Sequence, residues 1–67
     1  MTTTRYPVRG MSCQHCVRAV EEAVRRLPGV ERAEARLQPG EVRVTWRDQP
    51  DDDAVRRAVA EAGYEVA

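Results

Sequence analysis

The sequence has no lysine, no excess of either charge, no long apolar run and only two cysteines. Each shortage excludes something. Eleven arginines stand against eleven acidic residues, for a formal net charge of zero. Nucleic-acid binders carry a basic excess or a basic stripe, so nucleic acid is set aside as a partner. No apolar segment approaches the ~20 residues of a membrane span, so direct membrane insertion is not expected. The opening "MTTTRYPVR" lacks the apolar stretch of a secretory signal. A cytoplasmic protein is the expectation. Two cysteines cannot build a disulfide scaffold, and a C-x-x-C spacing closes only a very small loop. No acid–base pair, phosphate loop or nucleophile elbow is visible, so a non-enzymatic role is expected.

What remains is a short chain with one concentrated feature. Its 67 residues suit one domain, 1–67. A chain of this size buries only about 60% of its unfolded surface and often leans on a metal, a disulfide or a partner. Both cysteines and the only histidine fall within "CQHC", residues 13–16. In a reducing compartment such a pair points to metal binding or redox chemistry rather than to a structural disulfide.

Periodicity supplies the frame. Residues 4–9, "TRYPVR", place Tyr6 and Val8 on one face of a strand, with Pro7 awkward inside it. Gly10 breaks the run, and Ser12 can cap the helix that follows. From Cys16 to Leu27, the apolar residues Val17, Val20, Val24 and Leu27 recur at helical spacing. Glu21–Arg25 and Glu22–Arg26 stand at i,i+4 with the acid first, the favourable order. Pro28-Gly29 ends that helix. Residues 30–37 and 42–46 alternate around the turn "QPGE" and read as a hairpin. Asp51 or Asp52 can cap a second helix carrying Val55, Ala58, Val59 and Ala62, which Gly63 stops. "YEVA" makes a short last strand.

The order β-α-β-β-α-β fits an α+β, ferredoxin-like sandwich: a four-stranded antiparallel sheet with two helices on one face. Following the chain up and down places the first loop and the Gly63-Tyr64 junction at the same end. Met11, Cys13, His15, Cys16, Tyr64 and the 38–40 turn should gather there. Trp46 should lie in the core at the opposite end. The missing donor of Pro7 should face the short last strand, where pairing is thinnest.

Two thiolates at i and i+3 can converge on one small ion. A helix N-terminus favours the thiolate form, most of all for Cys16. Soft sulfur ligands select ions such as Cu(I) and Zn(II). Zinc wants four ligands in a closed structural site. Here there are two cysteines and one histidine, and His15 sits where its side chain points away from an ion that the cysteines share. Two-coordinate binding of a monovalent soft ion fits best. An exposed ion with few ligands is also easy to hand over, because an incoming thiolate meets no cage. Arg9 and Arg18, beside the motif, can help dock an acidic partner face.

"GMSCQHC" resembles the G-M-x-C-x-x-C signature of the heavy-metal-associated domain. The likeness continues through "LPGV" and "AEAGYEV" and covers essentially the whole chain. The short form with His15 between the cysteines is similar to the bacterial copper chaperones of that family. The resemblance implies Cu(I) as cargo and Cys13 and Cys16 as its ligands. It implies Met11 as an apolar tether beneath the loop, Tyr64 as a neighbour of the metal loop, and Ser12 and His15 as modulators. The implied recipient is a copper-transporting P-type ATPase, with a copper-responsive repressor as a second one. The apo protein should be a monomer, and copper could bridge a dimer through His15. The leading Met1 favours a free-standing protein over a piece of an ATPase. A carrier of another soft metal such as Hg(II), or a thiol-disulfide redox protein, stands as the alternative.

Overall fold

The computed structural model describes residues 1–67. Its elements run β1 (Thr2–Arg9), α1 (Gln14–Arg25), β2 (Val30–Arg36), β3 (Glu41–Trp46), α2 (Asp52–Glu61) and β4 (Glu65–Val66). The strands form one sheet in the order β2-β3-β1-β4, and every neighbouring pair is antiparallel. The expected ferredoxin-like architecture is therefore present.

Alternation explains the sheet. Tyr6 and Val8 of β1, Ala33 of β2, and Val42, Val44 and Trp46 of β3 turn inward and are buried. They meet Val20 and Val24 of α1 and Val55, Ala58 and Val59 of α2. Burying such side chains stabilises the fold by about 1.5–3 kcal/mol each before chain entropy is subtracted. Two polar tips go inward with them, and both find partners. The Trp46 indole N–H donates to Thr4 Oγ1 at 2.9 Å. The Tyr6 hydroxyl donates to Asp52 Oδ1 at 2.6 Å and so ties β1 to the start of α2. Burial and this bond together raise the Tyr6 pKa.

Several boundaries differ from the periodic reading. β1 begins at Thr2, because Thr2 and Thr3 pair with Trp46 and Thr45. Helix α1 starts at Gln14 and stops at Arg25, two residues earlier than expected at each end. Cys13, not Ser12, is its N-cap, and no side chain bonds the cap. At the far end, Leu27 N–H turns back to Val24 O at 3.1 Å before Pro28. In α2 the cap is Asp51, whose carboxylate accepts from Ala54 N–H at 3.1 Å. Only the first of the two expected ion pairs on α1 forms, Arg25 Nη2 to Glu21 Oε1 at 3.1 Å.

Pro7 sits where the alternation requires. Its carbonyl accepts from Ala67 N–H at 2.8 Å on the β4 side, while Val8 N–H donates to Gly40 O at 2.8 Å on the β3 side. The proline nitrogen thus faces β4, whose ladder with β1 has only the pairs Val8–Val66 and Arg9–Glu65. Trp46 pairs with Thr2 and Val30, at the opposite end of the sheet from Arg9.

Replacing Tyr6 by Phe keeps the packing and removes the bond to Asp52. Urea unfolding of Tyr6→Phe should show a loss of about 1–2 kcal/mol with an unchanged m-value. An unaltered midpoint would mean that the hydroxyl contributes nothing to holding α2.

Candidate metal centre

The connection from Gly10 to Cys13 carries the chain from the central strand onto α1. Gly10 has φ +98, a left-handed conformation that favours glycine. A Cβ placed there would lie 3.3 Å from Cδ1 of Tyr64, so the bare face of Gly10 is the seat of the Tyr64 ring. Met11 and Tyr64 are both half-buried and pack against the core. Tyr64 is set in turn by its own N–H, which donates to Val59 O at 3.0 Å at the end of α2.

Cys13 and Cys16 stand one helical turn apart at the opening of α1. Cys16 N–H and Val17 N–H both donate to Cys13 O, at 3.1 and 3.2 Å. The two sulfurs are 3.3 Å apart, and both thiols are free. Cys13 is exposed and Cys16 half-buried. The sulfur spacing is longer than the ~2.05 Å of a disulfide. It is shorter than the ~4.6 Å that a linear ion would need with metal–sulfur bonds of about 2.3 Å. The pair therefore stands as two free thiols between those two separations.

The Cys16 thiol is pulled from its ordinary value of 9.0 to about 6. Hydrogen bonding from the Tyr64 hydroxyl is the largest cause, followed by the Ser12 backbone and the Cys13 side chain, with burial working against them. The expected contribution of the helix start is present in the Ser12 and Cys13 backbone groups. Tyr64, which the fold brings in from the other end of the chain, adds to it. Tyr64 shows the reciprocal effect: its pKa is raised by the bond to Cys16, by burial and by the neighbouring thiolate charge.

The remaining expected residues are placed as follows. Ser12 is exposed and contributes its backbone, not a capping hydroxyl. His15 is exposed on the first turn of α1. No group of three or more His, Cys, Asp or Glu side chains converges anywhere, so His15 does not form a three-donor cluster with the cysteines. The 38–40 turn reaches this end of the sheet through the Gly40 carbonyl beside Val8. Sequence reasoning missed Gly10 as the platform for Tyr64. Its signal was the glycine that opens "GMSCQHC", read as a strand breaker and as part of the signature but not as a seat for an aromatic ring. No helix is long and apolar enough to cross a membrane.

The heavy-metal-associated domain model matches residues 5–65. The copper chaperone CopZ of Staphylococcus epidermidis is 42% identical over 67 residues, with 98% of each chain covered. Copper-transporting ATPase 2 of Rhizobium meliloti is 39% identical over 62 residues, which take in 92% of this chain and 8% of the ATPase. Among solved structures, a CopZ metallochaperone superposes with a TM-score of 0.91 at 34% identity, over 98% of this chain and 100% of that one.

The lowered Cys16 pKa has a direct test in alkylation by iodoacetamide, because only the thiolate reacts. The folded state favours the thiolate. Its contribution to stability is therefore present above the ordinary thiol pKa and is lost as pH falls through about 6. The alkylation rate of Cys16, read by peptide mass spectrometry, should inflect near pH 6. In Tyr64→Phe the inflection should move to higher pH. Equal profiles in the two proteins would remove Tyr64 as the cause.

Proposed function

The chain belongs to the heavy-metal-associated domain family, and on that premise we propose that it is a carrier of Cu(I), not an enzyme. Cys13 and Cys16 are the two ligands of the cargo. The observation that carries this reading is the pair of free, accessible thiols 3.3 Å apart at the start of α1. Soft thiolates select soft ions. Two sulfurs with no third donor in the cluster suit an ion that accepts two ligands.

Delivery follows from the same geometry. A thiolate of the recipient adds to the bound ion and gives a three-coordinate intermediate. One of the two cysteines then leaves and takes up a proton as the pH allows. Copper stays Cu(I) throughout, so no electron donor is needed. The recipient is a copper-transporting P-type ATPase, met through a domain of the same fold. The likeness to 8% of such an ATPase supports that pairing, since donor and acceptor would then present matching sites. The setting for this exchange is the cytoplasm.

Anaerobic titration of Cu(I) against a coloured chelator tests the reading. One tightly held ion per monomer is expected, with loss of binding in Cys13→Ser/Cys16→Ser and weak competition from Zn(II). Copper binding that survives removal of both thiols would overturn it. A parallel titration with Hg(II) separates the two soft-metal readings, and a mercury preference over copper would replace copper as the cargo.

A second reading draws on the close sulfurs and the Cys16 pKa of about 6. Such a pair can also exchange with disulfides. Insulin reduction at a rate comparable to a thioredoxin would favour it. The expected result for a carrier is no measurable turnover.

A further inference from the structure

Strand β2 is an outer strand of the sheet, since β3 is its only partner. An outer strand presents unpaired N–H and C=O groups that invite another strand. In β2 the outward groups belong to Ala33 and Ala35, and two side chains of α1 already occupy part of that row. Ala35 N–H donates to Glu21 Oε2 at 2.9 Å. Arg25 Nη2 donates to Ala33 O at 3.4 Å. The two side chains hold each other through the 3.1 Å contact between Arg25 Nη2 and Glu21 Oε1.

The pattern matches a specific substitute. In a parallel ladder, one residue of the added strand donates to the carbonyl at i−1 and accepts from the N–H at i+1. Around Glu34 those two groups are Ala33 O and Ala35 N–H. The Arg25 guanidinium supplies the donor and the Glu21 carboxylate the acceptor. One ion pair thus stands in for one backbone residue of a neighbouring strand. It also blocks antiparallel addition, which would need the same two groups.

We propose that Glu21 and Arg25 guard the β2 edge, and that without them β2 pairs antiparallel with β2 of a second copy of this chain. The sequence of the strand favours that partner. On the solvent face of the sheet β2 carries Arg32, Glu34 and Arg36 in alternation. Antiparallel pairing centred on Ala33 sets Arg32 opposite Glu34 of the other copy, twice. Centring on Ala35 does the same for Glu34 and Arg36. Opposite charges directly across a strand pair favour pairing. The guard leaves the cysteine loop and Tyr64 untouched, so this inference stands apart from the metal-carrier reading.

The test is Glu21→Ala/Arg25→Ala, followed by sedimentation velocity over a wide concentration range and by amide hydrogen exchange. The variant should dimerise with rising concentration while the unaltered protein stays monomeric. At low concentration, exchange at Ala35 should quicken by about tenfold or more, as expected on loss of a bond to a charged group. Exchange at Val42 and Val44 should not change. Adding Ala35→Pro, which deletes the outward N–H, should restore the monomer. A folded double variant that remains monomeric, or dimers that persist with the proline, would overturn the proposal. If the double variant does not fold, Glu21→Ala alone is read the same way. It keeps Arg25 and frees the Ala35 N–H, and unchanged Ala35 exchange there would equally overturn it.

Discussion

Two residue pairs, Val8–Val66 and Arg9–Glu65, hold β4 against the central strand. The chemistry at the cysteine end depends on them. They fix the chain on the far side of Gly63, and so fix where Tyr64 lies. Tyr64 then rests on the bare backbone of Gly10 and contributes to lowering the Cys16 pKa. A ladder this short would be weak alone. It is reinforced by the Ala67 N–H bond to Pro7 O and by the Tyr64 N–H bond to Val59 O. Pro7 tolerates its central position because its missing donor falls on this thin side. The same residue on the β3 side would break the longer ladder on which the hairpin depends.

The core that supports this end is built mostly from valine, with Trp46 and Tyr6 as its large members. Valine suits both strand and helix positions here because each is buried on one face and exposed on the other. Its small volume lets two helices lie close on four strands in a chain of modest size. The two aromatic side chains bring polar atoms inward, and each atom is bonded: Trp46 to Thr4 and Tyr6 to Asp52. No buried side-chain nitrogen or oxygen lacks a partner. A small core has little surplus with which to offset an unpaired polar group.

Element order, inward faces and the gathering of Met11, the cysteines and Tyr64 were legible from periodicity and chain direction. The details that escaped depend on contacts distant in sequence. Glu21 and Glu22 look alike on the helix, each with an arginine four residues on. Only Glu21 faces the backbone of β2, and that contact decides which ion pair forms. Periodicity does not reach Thr2 and Thr3, which are polar, because their place in the sheet comes from pairing with β3 rather than from burial. The lowered pKa of Cys16 agrees in direction with its place at the helix start, where the Ser12 and Cys13 backbone groups contribute, and Tyr64 adds to them. A helix start is visible in sequence. A hydroxyl brought across the fold from position 64 is visible only once β4 is placed.

On the proposed carrier reading, the choice of donors at Cys16 bears on how an exposed site would hold and release a soft ion. The groups that favour its thiolate are the Tyr64 hydroxyl, the backbone of Ser12 and Cys13, and the Cys13 thiol. None of them is a fixed positive charge. On that reading, the lowered pKa of Cys16 reduces the free energy spent on removing its proton when the ion is taken up. An arginine in the same place would also favour the thiolate, but its attraction would persist against a departing sulfur or an incoming one. A hydroxyl can turn away or rebond to water during ligand exchange. Neutral donors on a rigid seat therefore allow the sulfur to be ready for the ion without binding the sulfur itself in place. The close approach of the Tyr64 ring to Gly10 is what places that phenol at the cysteine end.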